Sequence, residues 1–316
     1  MMRRASTPHT ALHQVHVAVL EWYGANGRGL AFRHSTDPWE ILVSEVMAQQ
    51  TQAPRAAEAW TRFMAEFPTV ASLAAASPAA VIRAWRGLGY NRRALALRGA
   101  AIAIVEEHHG RVPDTLEGLM RLPGVGPYTA RAVLAIGYGR PVAALDVNIR
   151  RVIGRAWFGG VPPAASELQA TADALVPEGA AAAWTHALMD IGAAFCRPRE
   201  PRCADCPLRD ACADRARGTA DASEVVVGAS EVGADPVRSA PRAVRPGARG
   251  IPFERTTRWL RGRILDRLRD APDGTWLAFD DGIGAHEATA VRAAVAKLAA
   301  EGLIETAGSR ARLALS

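Results

Sequence analysis

The feature that most constrains this chain is the spacing of its apolar residues over positions 10–217, which is helical throughout and broken only by short turn signals. Apolar side chains recur three and four apart in Leu12–Tyr23, Trp39–Gln49, Ala56–Phe67, Ala79–Trp85 and Arg93–His108. The same period continues through Thr115–Leu122, Ala130–Tyr138, Ile149–Trp157, Glu167–Leu175 and Ala180–Ala194. No alternating pattern intervenes, so an all-α domain is expected. With 49% hydrophobic residues there is enough apolar material for a sizeable core, which excludes a disordered or fibrous chain. The longest apolar runs fall far short of the ~20 residues that span a bilayer. Met1-Met2-Arg3-Arg4-Ala5-Ser6 has no apolar core behind it, so no signal peptide and a cytoplasmic location are expected.

Residues 218–250 change character: rich in Gly, Ala, Ser and Pro and without helical period, they read as a linker. Residues 251–316 then form a second, small unit. A basic helix around Thr256–Arg269 is followed by an apolar piece at Thr275–Phe279 and a helix from about Ala285 to Ala300. Two β-like runs, Gly302–Thr306 and Arg310–Leu315, close the chain, and the order suggests a winged-helix-like module.

The net charge of +6 favours a polyanionic partner. Nearly all the positive charge is arginine; Lys297 is the single lysine. All four cysteines, Cys196, Cys203, Cys206 and Cys212, fall in one C-x6-C-x2-C-x5-C run, residues 196–212. Disulfides are a poor reading in a cytosolic helical domain. A zinc site and an iron–sulfur cluster both stand: zinc sites usually use two C-x2-C pairs, and uneven spacing around one pair suits a cubane.

Three further places carry chemistry. Leu122-Pro123-Gly124-Val125-Gly126-Pro127 joins two helices, and its glycines suit either a helix cap or a turn whose exposed amides grip a phosphate. Glu45, set among Leu42, Val43, Val46 and Met47, lies either on a wet helix face or partly buried with a raised pKa. Asp146 immediately precedes a helix and reads as an N-cap, a position that also favours its charged form. A proton donor and a fixed carboxylate are the pair used in glycosidic bond cleavage.

Together these motifs resemble the helix-hairpin-helix DNA glycosylase superfamily. Ser44-Glu45-Val46-Met47-Ala48-Gln49-Gln50-Thr51 and Gly87-Leu88-Gly89-Tyr90 look more closely like its A/G-specific adenine DNA glycosylases (MutY type), over roughly residues 18–215. The resemblance implies a 4Fe-4S cluster on the four cysteines. It implies a DNA substrate pairing adenine with 8-oxoguanine or guanine, adenine being flipped out and excised by a monomeric enzyme. Glu45 would protonate adenine, Asp146 would stabilise the cationic sugar, Asn148 would hold that carboxylate, and Tyr128 would bond near Glu45. Gln49, Gln50, Thr51 and Tyr90 would meet the stack and the opposite base, and Gly124, Val125 and Gly126 a phosphate.

The sequence departs from the family at Ala48, Ala31-Phe32, Val147 and His186, and residues 251–316 are too short and too helical for the family's usual Nudix-like domain. Two alternatives remain: a thymine or uracil mismatch glycosylase on the same scaffold, and a non-catalytic iron–sulfur DNA sensor. Glu45 with Gln49-Gln50-Thr51 argues against the first, and retention of both carboxylates against the second. Tyr128 stands where a lyase of this fold needs a lysine, so strand cleavage is not expected.

Overall fold

The computed structural model describes residues 8–218 and 251–315; apart from Gly218 the expected linker lies outside them, as do the first seven residues and Ser316. The chain is helical as expected. In order come α1 (Pro8–Asn26), α2 (Pro38–Ala48), α3 (Ala53–Glu66), α4 (Val70–Ala75) and α5 (Pro78–Ala84). Then follow α6 (Arg92–Glu107), α7 (Leu116–Arg121), α8 (Pro127–Ala132), α9 (Val147–Phe158), α10 (Ala165–Ala174), α11 (Ala181–Ala194) and α12 (Ala213–Ala216). The C-terminal part holds α13 (Thr257–Asp270), β1 (Leu277–Ala278), α14 (Ala288–Ala300), β2 (Ile304–Ala307) and β3 (Arg310–Leu313). These elements form two compact units, each assembled from separate stretches of sequence.

The first unit takes described residues 8–45, 114–120 and 125–218. Ile149, Val152 and Ile153 of α9 and Trp184, Leu188 and Ile191 of α11 form its buried interior. Trp184 meets His16 of α1 edge-on, with ring centroids 5.2 Å apart. Asp190 of α11 is also buried, and this is tolerated because its carboxylate accepts from Arg28 Nε at 2.6 Å and Arg33 Nη1 at 2.7 Å. Helix α8 starts at Pro127, earlier than the apolar spacing indicates, because proline at its first turn presets the helical φ. Past Ala132 the backbone widens into a π-helical turn, Val133–Gly137, for which the sequence holds no signal.

The second unit takes described residues 46–113, 121–124 and 251–315. Phe63 of α3 and Trp85 beyond α5 meet edge-on at 5.9 Å, with Leu73, Leu97 and Ile104 buried to full or nearly full depth. Helix α4 was not apparent from apolar period, although Thr69 and Ser72 form a reciprocal cap at its start. In the C-terminal part the antiparallel sheet runs β1-β3-β2, with Leu277 opposite Ala311 and Ile304 opposite Leu313. Helix α14 begins at Ala288 rather than Ala285, because Ile283 and His286 pair as a β-bridge just before it. Leu260, Ile264 and Leu268 of α13, Val291 and Leu298 of α14, and Leu313 share one apolar cluster with Ala79 and Ile82 of α5. Residues 251–315 therefore complete the interior of this unit.

Three of the arginines of α13 are engaged within the protein. Arg261 pairs with Glu301 and Arg263 with Asp266, and Arg269 is buried.

Candidate active site

Glu45 sits near the end of α2, and the structure decides between its two readings: it is 9% exposed. Leu42, Val43, Val46 and Met47 are buried around it, so this stretch of helix has no wet face to offer. Burial pushes its carboxyl from the ordinary 4.5 up to about 7, with nearby Asp146 adding to the rise and a hydrogen bond from Tyr128 and the charge of Arg33 opposing it. Near neutral pH the site can thus hold a proton on a carboxylic acid. The Tyr128 hydroxyl is pushed far above its usual range by burial and the two carboxylates, so it stays a hydrogen-bond donor.

Asp146 caps α9, accepting from the Ile149 amide at 2.6 Å through Oδ1 and from Asn148 Nδ2 at 3.0 Å through Oδ2. A cap position by itself favours the charged carboxylate. Burial instead lifts the Asp146 pKa above the ordinary carboxylate value, against the Ile149 amide, Asn148 and Arg151, all of which favour the anion. Of the two carboxyls, Asp146 is the better furnished to remain charged.

Sequence reasoning missed Arg151. Its guanidinium donates to Asn148 Oδ1 and the Gly192 carbonyl, each at 2.8 Å, and to the Cys196 carbonyl at 2.5 Å. One side chain thereby joins the support of Asp146 to the start of the cysteine loop. Gly192 allows the close approach: a Cβ there would lie 2.6 Å from Asn148 Cβ. In a chain this rich in arginine nothing in the sequence singles Arg151 out.

Cys196, Cys203, Cys206 and Cys212 line one pocket with Val152, Ile191, Phe195 and Leu208. Burial pushes the Cys206 thiol up to about 12 and raises those of Cys196 and Cys203. Such thiols become thiolates when a metal supplies the positive charge. Buried Arg155 fastens the loop, donating to the Arg197 carbonyl at 2.7 Å and lying 3.6 Å from Cys196 Sγ. Among the described residues no three Cys, His, Asp or Glu side chains are grouped closely enough to hold a metal ion. The four thiols share this pocket with Arg155, Arg209, Asp214 and Arg215 as well as the apolar side chains.

In the hairpin, Gly124 has φ +77° and its Cβ would lie 2.8 Å from Ala96 Cβ, so only glycine fits. Val125 is buried, while Gly126, the N-terminal cap of α8, has open space around it. Gln50 and Tyr90 are exposed, and both are held at positive φ, 54° and 45°, uncommon for such side chains. One guanidinium holds both turns: Arg93 donates to the carbonyls of Val46 and Gln49 on one side and of Leu88 and Gly89 on the other. It also reaches Thr51 Oγ1 at 3.4 Å, so Gln49, Gln50, Thr51 and Tyr90 belong to one locality. Of the family departures, Val147 is 74% exposed, and His186 is buried and held neutral, its pKa pushed down to about 3.

Helices joined by a glycine hairpin thus carry a buried acid beside a capped carboxylate. The HhH-GPD superfamily model of base excision DNA repair proteins matches residues 43–178. An adenine DNA glycosylase of Mycolicibacterium smegmatis is 36% identical over 302 residues, covering 94% of this chain and 95% of that protein. One of Mycobacterium tuberculosis is 41% identical over 258 residues, covering 80% and 78%. Among solved structures, a thermostable thymine-DNA glycosylase aligns with a TM-score of 0.62 at 27% identity, over 67% of this chain and all (100%) of that one. The chain belongs to the adenine DNA glycosylase family of the HhH-GPD superfamily.

Proposed function

We propose that this chain excises adenine mispaired with 8-oxoguanine or guanine in double-stranded DNA, hydrolysing the N-glycosidic bond without cutting the strand. The observation that carries the reading is Glu45, a carboxylic acid buried beside a better-supported carboxylate and titrating near 7. Adenine turned out of the duplex receives the Glu45 proton on a ring nitrogen, which lets the base depart with the bonding electron pair. The positive charge left on the sugar is met by the Asp146 carboxylate, held by the Ile149 amide and Asn148. Glu45, now ionised, takes a proton from the incoming water as its oxygen bonds to the sugar carbon. Tyr128 keeps the Glu45 carboxyl oriented throughout.

Gly124, Val125 and Gly126 would hold a phosphate, and Gln50 and Tyr90 would enter the base stack, with Gln49 and Thr51 beside them. Cys196, Cys203, Cys206 and Cys212 would hold a 4Fe-4S cluster, whose bonds supply a fixed cross-link for residues 196–212. The enzyme would act as a cytoplasmic monomer. Tyr128 stands where a lyase of this fold needs a lysine, so no imine with the sugar is expected from that position.

Single-turnover assays on duplexes that pair adenine, thymine or uracil with guanine and with 8-oxoguanine test the reading. Excision of adenine alone, leaving an intact abasic strand, is expected. Preferential release of thymine or uracil would favour the mismatch reading that the thymine-DNA glycosylase likeness keeps in view.

A further inference from the structure

The C-terminal residues grip the segment that carries Tyr90. Buried Arg269 of α13 donates to the Ile82 carbonyl at 3.0 Å and to Asn91 Oδ1 at 2.7 Å. Arg83 donates back to the carbonyls of Arg269 and Ala271, at 3.2 and 2.9 Å, and pairs with Asp273. Docked in this way, α13 lays the guanidinium of Arg258 over the Tyr90 ring, 5.1 Å from its centroid. Arg93 lies 5.7 Å from the same centroid. Arg261, Arg263 and Arg269 of this helix pair with acids, whereas Arg258 meets an exposed aromatic face.

We propose that Arg258 is a positioning residue for Tyr90, its guanidinium holding the ring in the orientation in which it enters the DNA stack. The proposal rests on Tyr90 being the stack-entering residue, as proposed above. A solvent-facing tyrosine ring would otherwise lose side-chain freedom on each encounter with DNA. A planar cation on its face orders the ring beforehand, and an ammonium lacks the plane to stack. The module thus acts on mispair engagement through the ring, beyond any general attraction for phosphate.

The test uses the full-length protein with Tyr90→Ala, Arg258→Ala and Arg258→Lys. Each is mixed with duplexes carrying 2-aminopurine next to the base opposite adenine, whose fluorescence rises when a ring enters the stack. Tyr90→Ala should remove the rise. Arg258→Ala should reduce it and raise KM for the mispaired duplex about two- to fivefold, leaving kcat and affinity for fully paired DNA unchanged. Arg258→Lys should not restore the signal, and Arg258→Ala should add nothing in the Tyr90→Ala background. Equal weakening on paired and mispaired duplexes, with rescue by lysine, would make Arg258 a plain phosphate contact and overturn the proposal. If Tyr90→Ala leaves the rise intact, the stack-entry reading falls and the proposal with it. If Tyr90→Ala removes the rise but Arg258→Ala does not, stack entry stands and the positioning role alone is lost.

Discussion

Burying Glu45 penalises its charged form as pH rises. Its carboxyl moves from 4.5 in the unfolded chain to about 7 in the fold. The stability this gives is fully present below 4.5 and is lost as pH climbs through 7, a change of roughly 3 kcal/mol. Glu45→Gln should therefore raise Tm at pH 8 but hardly at pH 4, measured by calorimetry at both. The same variant should lose excision by about a hundredfold or more in single turnover while still binding mispaired DNA, since an amide keeps the shape and has no proton to give. In the wild-type enzyme, single-turnover excision should decline as pH passes about 7; a flat profile from about pH 6 to 9 would separate Glu45 from the chemistry. At this scale the sequence was partly legible. Glu45 stood out because its neighbours are apolar, but a lone acid on a helix reads equally as solvated. What decides is that the neighbours at 42, 43, 46 and 47 are all buried, a fact of three dimensions. Asp146 was legible as a cap from its place before α9, whereas the desolvation that lifts its pKa was not.

Between elements, the contact that matters most for the site is that of α11 with the start of α9. Gly192→Ala would add a methyl 2.6 Å from Asn148 Cβ. We expect a loss of about 1–3 kcal/mol from overpacking, despite alanine's better helix propensity, together with slower excision as Asn148 is displaced from Asp146. Thermal melts and single-turnover rates on the same preparation check both. A second expectation concerns the loop that Arg151 and Arg155 fasten: Cys203→Ser should yield protein without iron and with poor solubility, read by metal analysis and visible absorbance. Stoichiometric zinc without iron in anaerobically prepared wild-type protein would contradict the cluster. Helix existence was plain in the sequence because period-3.6 patterns are long and repeated. Gly192 was invisible, since a glycine inside a helix announces nothing about the neighbour that needs its missing side chain. Apolar spacing points to a later start for α8 than Pro127, since proline continues no apolar stripe yet is well suited to a first turn.

For the whole molecule, residues 251–315 read as a separate small module from composition, but Leu260, Ile264 and Leu298 close over Ala79 and Ile82. Leu260→Ala should cost about 3 kcal/mol and lower the cooperative transition of α3–α6 along with the C-terminal helices, seen as one shifted melt rather than two. Period alone could not reveal this, because an apolar stripe identifies a buried face without naming what it is buried against. A second consequence of this unit's build lies in Arg93, whose single guanidinium is bonded to carbonyls on both the Gln50 and the Tyr90 turn. On the proposed reading, the two side chains that probe the duplex are set as a fixed gauge, like the jaws of a caliper locked at one opening. A locked gauge transfers the work of adjustment to the DNA. A well-stacked pair resists being opened to that width, and a poorly stacked mispair yields, so the mechanical compliance of the substrate itself becomes the quantity being measured.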